Sequence, residues 1–177
     1  HAMLSWKTIM QTWTGSQPLV ALDLPGYGNS DKPELEYSLS FYTGFLNAFL
    51  DTLNAQNVTL CGLSMGGAIA LQYALRYPNY IGKLVLVAPW GVSASAPYSL
   101  MGRLLVRLPL NQVAYKTLQN RWLAKNIIAG SLIGNREKIT PEILDEVQTA
   151  AHSKDAARVF QSFQISELWG EPPVGHL

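Results

Sequence analysis

The pentapeptide Gly62–Gly66, Gly-Leu-Ser-Met-Gly, constrains the fold of this 177-residue chain more than any other feature. The apolar run Val58–Cys61 precedes it and suits a short buried strand, and Ala68–Tyr77 follows it as a helix rich in Ala, Leu and Ile. A Gly-x-Ser-x-Gly sequence between a strand and a helix predicts a bend so tight that the serine has strained backbone angles. The glycine positions on either side of the serine must then be occupied by small residues, so that the strand and the helix do not clash with the turn.

This arrangement predicts a nucleophilic serine. Ser64 would project its hydroxyl from the carboxyl end of a parallel strand, where α/β sheets bind their ligands. The backbone N–H of Met65 would point from the first helical turn at an oxyanion on the substrate. The bare pattern also fits a glycine-rich connection with a buried or capping serine, so the prediction depends on the flanking strand and helix.

Predicted strands and helices alternate on both sides of the pentapeptide. Leu19–Leu22 and Lys83–Ala88 are further apolar runs that we interpret as strands. An amphipathic stripe from Phe41 to Leu53 predicts a helix that begins near Ser38 or Ser40. Strands that alternate with helices indicate an α/β fold, in which a parallel sheet is connected by crossover helices.

The pattern changes after Pro89. Residues from about Ser99 to Glu167 show several helical patterns and no convincing strand, and one helix begins at Thr140-Pro141, a cap residue followed by proline. We therefore expect a partial α/β core over residues 1–90 and an all-helical region over residues 91–177. We interpret an apolar stripe along Leu100–Leu108 as packing against the rest of the domain rather than as membrane contact.

A second motif, Asp23–Ser30, follows the first predicted strand and reads Asp-Leu-Pro-Gly-Tyr-Gly-Asn-Ser. It has no third glycine at the right spacing and no helix opens behind it, which argues against a nucleotide-binding loop. Together with the pentapeptide, this motif resembles the α/β-hydrolase superfamily. Leu19–Ser30 is similar to the fourth strand of that family and its D-x-x-G-x-G-x-S loop. Val58–Pro89 is similar to the fifth strand, the nucleophile turn, its helix and the sixth strand.

The resemblance implies a hydrolase function. It assigns Ser64 as the nucleophile and the N–H of Met65 as an oxyanion donor, makes Pro89–Leu168 a helical cap, and implies no metal or organic cofactor. A serine rather than an aspartate favours esterases, lipases and C–C bond hydrolases over haloalkane dehalogenases and epoxide hydrolases. The apolar cap indicates a small, apolar, ester-like substrate. The competing hypothesis is a non-catalytic binding or interaction protein built on a hydrolase scaffold.

The triad acid and the histidine that the resemblance implies are not identified in this sequence. The family order is Ser, then Asp or Glu, then His, but His152 lies in a predicted cap helix and His176 almost at the end of the sequence. Four carboxylates are no better as candidates for the triad acid: Asp145, Asp155, Glu167 and Glu171. At the other end, His1-Ala2-Met3 is either a variant of the family's oxyanion motif His-Gly, with Met3 as the donor, or a cloning remnant.

The resemblance also implies that the strand between the first two predicted strands is missing. Leu19–Leu22 and Val58–Cys61 would then pair directly or leave a gap, and unpaired strand edges are costly. We therefore expect a chain that is marginally folded, that oligomerises, or that is part of a larger enzyme. As this chain alone, the hydrolase is expected to be inactive or incomplete.

Charge and composition exclude some classes of binding partner. Thirteen basic side chains against 12 acidic ones give a net charge of +1, so we expect neither nucleic acid nor an anionic membrane as partner. No segment approaches the roughly 18–20 apolar residues of a membrane span. No secretory signal is visible, and a cytoplasmic location is the default expectation. The single cysteine, Cys61, lies in an apolar run and is expected to be a buried core thiol.

Overall fold

The computed structural model describes residues 2–92, 116–131 and 135–169. These residues form two compact units. The first contains residues 2–34, 116–131 and 135–161, and the second contains residues 35–92 and 162–169. The predicted stripe Leu100–Leu108 lies outside the described residues, as do His176 and Glu171. The predicted division at residue 90 into a core and a cap stays a prediction.

The second unit contains a strand–helix–strand motif. Strand β1 (Val58–Leu63) pairs in parallel with strand β2 (Ile81–Val87). Between them lie helix α3 (Met65–Arg76) and a 3₁₀ turn at Pro78–Tyr80. Pro78 ends the helix because its ring fills the space of the preceding turn and it has no N–H to donate. The predicted α/β arrangement, a parallel sheet with a crossover helix, is confirmed.

Helix α2 (Leu39–Thr52) packs against α3. Ser38 caps it, since the Ser38 hydroxyl accepts the N–H of Phe41 at 3.1 Å. Its buried face shares Leu46 and Leu50 with the apolar stripe that the sequence predicts, but the phenylalanines of that stripe are only half-buried. Leu53 is 48% exposed, and the buried residues of α2 are Leu39, Tyr42, Thr43, Leu46 and Leu50.

The two faces of the sheet differ in what covers them. Gly62 lies against α3, and side chains alternate between faces along a strand, so Leu60 and its partner Leu84 share that covered face. The opposite face carries exposed apolar side chains: Cys61, Leu63, Val85 and Val87. The expectation that Cys61 is a buried thiol is therefore wrong, because its side chain lies on the face away from α3.

The predicted strand at Leu19–Leu22 does not form. In the described part of the chain the sheet consists of β1 and β2 alone. Leu19 is 38% exposed and Val20 is 64% exposed. A strand exists only where a neighbouring strand receives its N–H and C=O groups, and neither edge of this sheet pairs with the segment. Direct pairing of Leu19–Leu22 with Val58–Cys61 is therefore not observed among the described residues.

The described helices of the first unit are α1 (Ala2–Thr12), α4 (Arg121–Ser131), α5 (Pro141–His152) and the start of α6 (Ala156–Trp169). Thr140 caps α5 as predicted, and its hydroxyl accepts the N–H of Ile143 at 3.4 Å. Ile128, Ile139 and Leu144 form a small apolar core between α4 and α5. Residues 116–131 and 135–169 contain helices and no strand, which agrees with the expectation for this region.

Candidate functional site

The backbone bends sharply at Ser64. Strand β1 ends one residue before it and α3 begins one residue after it. Ser64 itself has φ 51° and ψ −117°, a combination that residues with a Cβ adopt only under strain. The strand, bend and helix that the pentapeptide predicts are therefore present in the structure.

Three backbone hydrogen bonds hold Ser64 in this conformation. Its N–H donates to the carbonyl of Val87 at 2.9 Å, and its carbonyl accepts from the N–H of Ala68 at 3.1 Å and of Trp90 at 3.0 Å. Val87 and Trp90 lie at the end of β2 and just beyond it. The neighbouring strand thus fixes the bend, and a strained residue persists where its surroundings fix it in this way.

Two glycines allow β1, the bend and α3 to approach closely. A Cβ on Gly62 would lie 2.3 Å from the carbonyl oxygen of Gly66, and a Cβ on Gly67 would lie 2.8 Å from the Cβ of Pro89. Gly66 differs, because a Cβ there would meet no described neighbour within 4 Å. Packing therefore requires the first glycine of the pentapeptide but not its last.

The Ser64 side chain is exposed, and within the described residues its hydroxyl makes no capping bond to α3. A buried or capping serine, the alternative that the sequence leaves open, is not observed. Met65 is the first residue of α3, so its N–H lies at the positive end of the helix dipole. The hydroxyl thus stands at the carboxyl end of a parallel strand, where α/β folds bind ligands. The roles of Ser64 and Met65 stay predictions.

The Asp23–Ser30 loop belongs to the first unit and is held by its own hydrogen bonds. The Asp23 carboxylate accepts the N–H of Asn29 at 3.0 Å, and the Asp23 carbonyl accepts the Ser30 hydroxyl at 2.6 Å. Gly28 has φ 52°, and a Cβ on it would lie 2.2 Å from Cγ of Asp23. The Lys32 ammonium donates to the carbonyls of Gly28 and Ser30, each at 3.0 Å. The aspartate and the second glycine of the motif therefore shape the turn itself.

The described histidine and acid candidates have other partners in the first unit. Nδ1 of His152 lies 2.8 Å from a backbone carbonyl one turn earlier in α5. Asp145 forms an ion pair with Arg121, and Asp155 lies 3.6 Å from the Arg158 guanidinium. None of these three contacts involves Ser64. The triad acid and histidine thus stay unassigned, as they are in the sequence.

The remaining candidates at the two ends of the chain add no assignment. Ala2 and Met3 begin helix α1, and a role for Met3 as an oxyanion donor stays a prediction. Glu167 lies in α6.

The first unit also contains a groove of about 740 Å³ that does not include Ser64. Gly28, Asn29 and residues of α5 line it. In the part of the chain that the structure describes, no group of three or more His, Cys, Asp or Glu side chains could hold a metal ion. A search of the same residues finds no helix with both the length and the apolar character needed to cross a bilayer.

Comparison with known families decides the identity. A sequence model of the alpha/beta hydrolase fold matches residues 5–119, which is more than half of the chain. The chain belongs to the alpha/beta hydrolase family. The matched range includes the Asp23–Ser30 loop, the bend at Ser64 and both strands of this alpha/beta hydrolase, so the resemblance inferred from the two motifs is confirmed.

Named relatives of this alpha/beta hydrolase include enzymes of two kinds. It is 33% identical over 93 residues to 2-hydroxy-6-oxo-2,4-heptadienoate hydrolase of Pseudomonas putida, covering 52% of this chain and 34% of that one. It is 36% identical over 84 residues to haloalkane dehalogenase of Agrobacterium fabrum, covering 48% and 28%. The structure of a meta-cleavage product hydrolase of Pseudomonas fluorescens matches with a TM-score of 0.70 and 19% identity over 97% of this chain and 57% of that one, which shows the shared fold.

The chain spans about a third of the length of the curated relatives it matches. The matches to 2-hydroxy-6-oxo-2,4-heptadienoate hydrolase and to a haloalkane dehalogenase support a hydrolase in general and differ in the substrate that is named.

Sequence reasoning missed Trp90. Its N–H binds the carbonyl of Ser64, and its ring lies 5.9 Å from the ring of Phe163, centroid to centroid. The available signal was its position three residues after the end of β2. In a parallel sheet, residues that follow one strand lie beside those that follow its neighbour. The segment after β2 was therefore expected to lie near Ser64, which follows β1.

Proposed function

We propose that the alpha/beta hydrolase to which this chain belongs cleaves carboxylic esters or similarly activated carbonyl bonds, with Ser64 as its nucleophile. The observation that supports the proposal is the strained and exposed Ser64 at the end of β1, fixed by hydrogen bonds from the end of β2. A strained residue on the surface costs stability, and such strain is typical of active sites.

The proposed chemistry begins when Oγ of Ser64 attacks the carbonyl carbon while its proton passes to a base. The carbonyl oxygen takes up the displaced electron pair, and the Met65 N–H donates to it. One such donor contributes about 3 kcal/mol of transition-state stabilisation. The bond to the alkoxy oxygen then breaks, and the departing alcohol takes the proton from the base. Water hydrolyses the acyl-serine ester and regenerates Ser64. In such a mechanism an imidazole is the base and a carboxylate orients it.

A serine nucleophile favours acyl transfer over displacement of a halide. Attack of Ser64 on an alkyl halide would form an ether, which has no carbonyl for water to attack, so the enzyme would stop after one turnover. A carboxylate nucleophile would instead form an ester that water can cleave. The similarity to a haloalkane dehalogenase thus supports hydrolase function in general. The similarity to 2-hydroxy-6-oxo-2,4-heptadienoate hydrolase suits a serine that attacks a carbonyl carbon.

The competing candidate is a binding protein on the same scaffold. The observation that favours it is that the contacts of His152, Asp145 and Asp155 are with groups other than Ser64, whereas an activated serine needs a base within hydrogen-bond reach. The two candidates differ in whether Ser64 turns over a substrate.

Ester hydrolysis by matched serine variants tests the proposal. The full-length gene product would be assayed with p-nitrophenyl acetate and, for halide release, with 1-chlorobutane. We expect ester hydrolysis that falls by at least about 10³-fold in Ser64→Ala and no halide release. Ser16→Ala is the control, because Ser16 is an exposed serine in the loop after α1, and it should keep full activity. Hydrolysis that survives in Ser64→Ala would contradict Ser64 as the nucleophile, and a wild-type protein that cleaves no ester would favour the binding protein.

A further inference from the structure

We propose that Trp90 determines specificity, by giving the nucleophile a flat aromatic wall that favours substrates with an aromatic acyl group. This inference rests on the proposed function, in which Ser64 carries the acyl group. It adds the substrate class and the residue that selects it.

The backbone of Trp90 is fixed beside Ser64. Its N–H donates to the Ser64 carbonyl at 3.0 Å. The preceding residue, Pro89, packs so closely on Gly67 that a Cβ there would lie 2.8 Å from the Pro89 Cβ. Positive φ angles at Ala88 (41°) and Gly91 (77°) turn the chain on either side of Trp90. Trp90 is thus held by the same segment that holds the nucleophile.

The Trp90 ring packs against a buried aromatic ring on one side. Its centroid lies 5.9 Å from that of Phe163, at an interplanar angle of 60°. Phe163 in turn lies 6.0 Å from Tyr42. Phe163 and Tyr42 are buried, whereas Trp90 is half-buried. Trp90 is therefore the outermost ring of a packed aromatic row, and part of its indole is available to a ligand.

This placement suits an aromatic acyl group. The acyl group of the substrate becomes bonded to Ser64, and Trp90 is one of the residues that contact Ser64 directly. An aromatic ring that packs on an indole gains about 0.5–1.5 kcal/mol beyond its apolar burial. A saturated ring of similar size gains the burial alone. Recognition by Trp90 should thus discriminate between flat and puckered acyl groups rather than between large and small ones.

The test compares two p-nitrophenyl esters with six-membered acyl rings, the flat benzoate and the puckered cyclohexanecarboxylate. The benzoate carbonyl is conjugated with its ring, and the resulting difference in intrinsic reactivity cancels when a variant is compared with the wild type. We expect Trp90→Ala to lower the benzoate-to-cyclohexanecarboxylate ratio of kcat/KM about three- to tenfold relative to the wild type. Trp90→Phe should keep most of the ratio, and Trp90→Leu should lose it. Trp122→Ala is the matched control, because Trp122 lies in the first unit and is 71% exposed, and it should leave the ratio unchanged.

Labelling of Ser64 by a small fluorophosphonate is measured in parallel for every variant. A ratio that stays at the wild-type value in both Trp90→Ala and Trp90→Leu, with labelling intact, overturns the role of Trp90 and leaves the proposed function standing. An equal fall for both esters also overturns it, since that result would assign Trp90 to the common leaving group or to the fold. Ester hydrolysis that does not depend on Ser64 overturns the proposed function, and this inference with it.

Discussion

Substitution of Ser64 by glycine should stabilise the fold while it abolishes the proposed activity. The backbone angles of Ser64, φ 51° and ψ −117°, are strained for a residue with a Cβ but readily accessible to glycine. The side chain offers nothing in compensation among the described residues, since its hydroxyl does not cap α3. Replacing the side chain by hydrogen therefore removes strain without removing a described hydrogen bond.

The expected gain follows from two opposing terms. A residue in a sparsely populated backbone region costs of order 1–3 kcal/mol. Glycine makes the unfolded chain more flexible, which costs about 0.5–1 kcal/mol. The difference is a net stabilisation of about 1 kcal/mol. For a chain of this length, that corresponds to a rise in Tm of about 2–4 °C.

Ser64→Ala is the matched control, because alanine keeps the Cβ and with it the strain. Thermal and urea unfolding of the wild type, Ser64→Ala and Ser64→Gly would be followed by circular dichroism. We expect Ser64→Ala to unfold within about 0.5 kcal/mol of the wild type and Ser64→Gly to be the most stable of the three. A glycine variant that is no more stable than the alanine variant would refute the argument that Ser64 is strained.

Three further predictions concern residues of the second unit and can be checked by urea unfolding. Gly62→Ala should cost about 1–3 kcal/mol, because its Cβ would collide with the backbone of Gly66, whereas Gly66→Ala, which has open space, should be neutral or stabilising by up to about 1 kcal/mol. Thr43→Val should lower the free energy of unfolding by about 1–2 kcal/mol, since the buried Thr43 hydroxyl donates to the Leu39 carbonyl and lies 2.7 Å from the Gln72 side chain. Its control is Thr52→Val, which loses only an exposed hydrogen bond and should lower it by less than about 0.5 kcal/mol. Burial, and then the charge of Asp51, raise the pKa of Tyr73 to about 12. The stability that the protonated Tyr73 side chain contributes is therefore complete below pH 10 and is lost as the pH rises from 10 through 12. Tyr73→Phe should remove this part of the loss of stability at alkaline pH. Identical profiles of stability against pH for the two proteins would contradict the raised pKa of Tyr73.

Features that depend on neighbouring residues in the sequence could be predicted. The bend at Ser64 lies between a short apolar run and an alanine-rich segment, and the cap residues Ser38 and Thr140 precede their helices directly. Each of these signals is local, because a cap or a tight turn is satisfied by residues three or four positions away. The parallel order of the strands also followed, since strands that alternate with helices usually pair in parallel through crossover connections.

Features that depend on distant partners could not be predicted. Leu19–Leu22 has the composition of a strand, but pairing requires an adjacent edge that its own sequence cannot specify. The exposure of Cys61 depends on what lies over one face of the sheet, and an apolar run does not report this. Trp90 and Phe163 are 73 positions apart in the sequence, so their contact could be seen only in coordinates.

The most direct test of the central claim is to locate the site of covalent modification. The full-length gene product would be treated with a fluorophosphonate, digested and mapped by mass spectrometry. If Ser64 is an activated nucleophile, a single phosphonyl adduct should appear on the peptide that contains Ser64 and be absent from Ser64→Ala. A protein that stays unmodified, or an adduct on a different residue, would contradict the assignment of Ser64 as the reacting group.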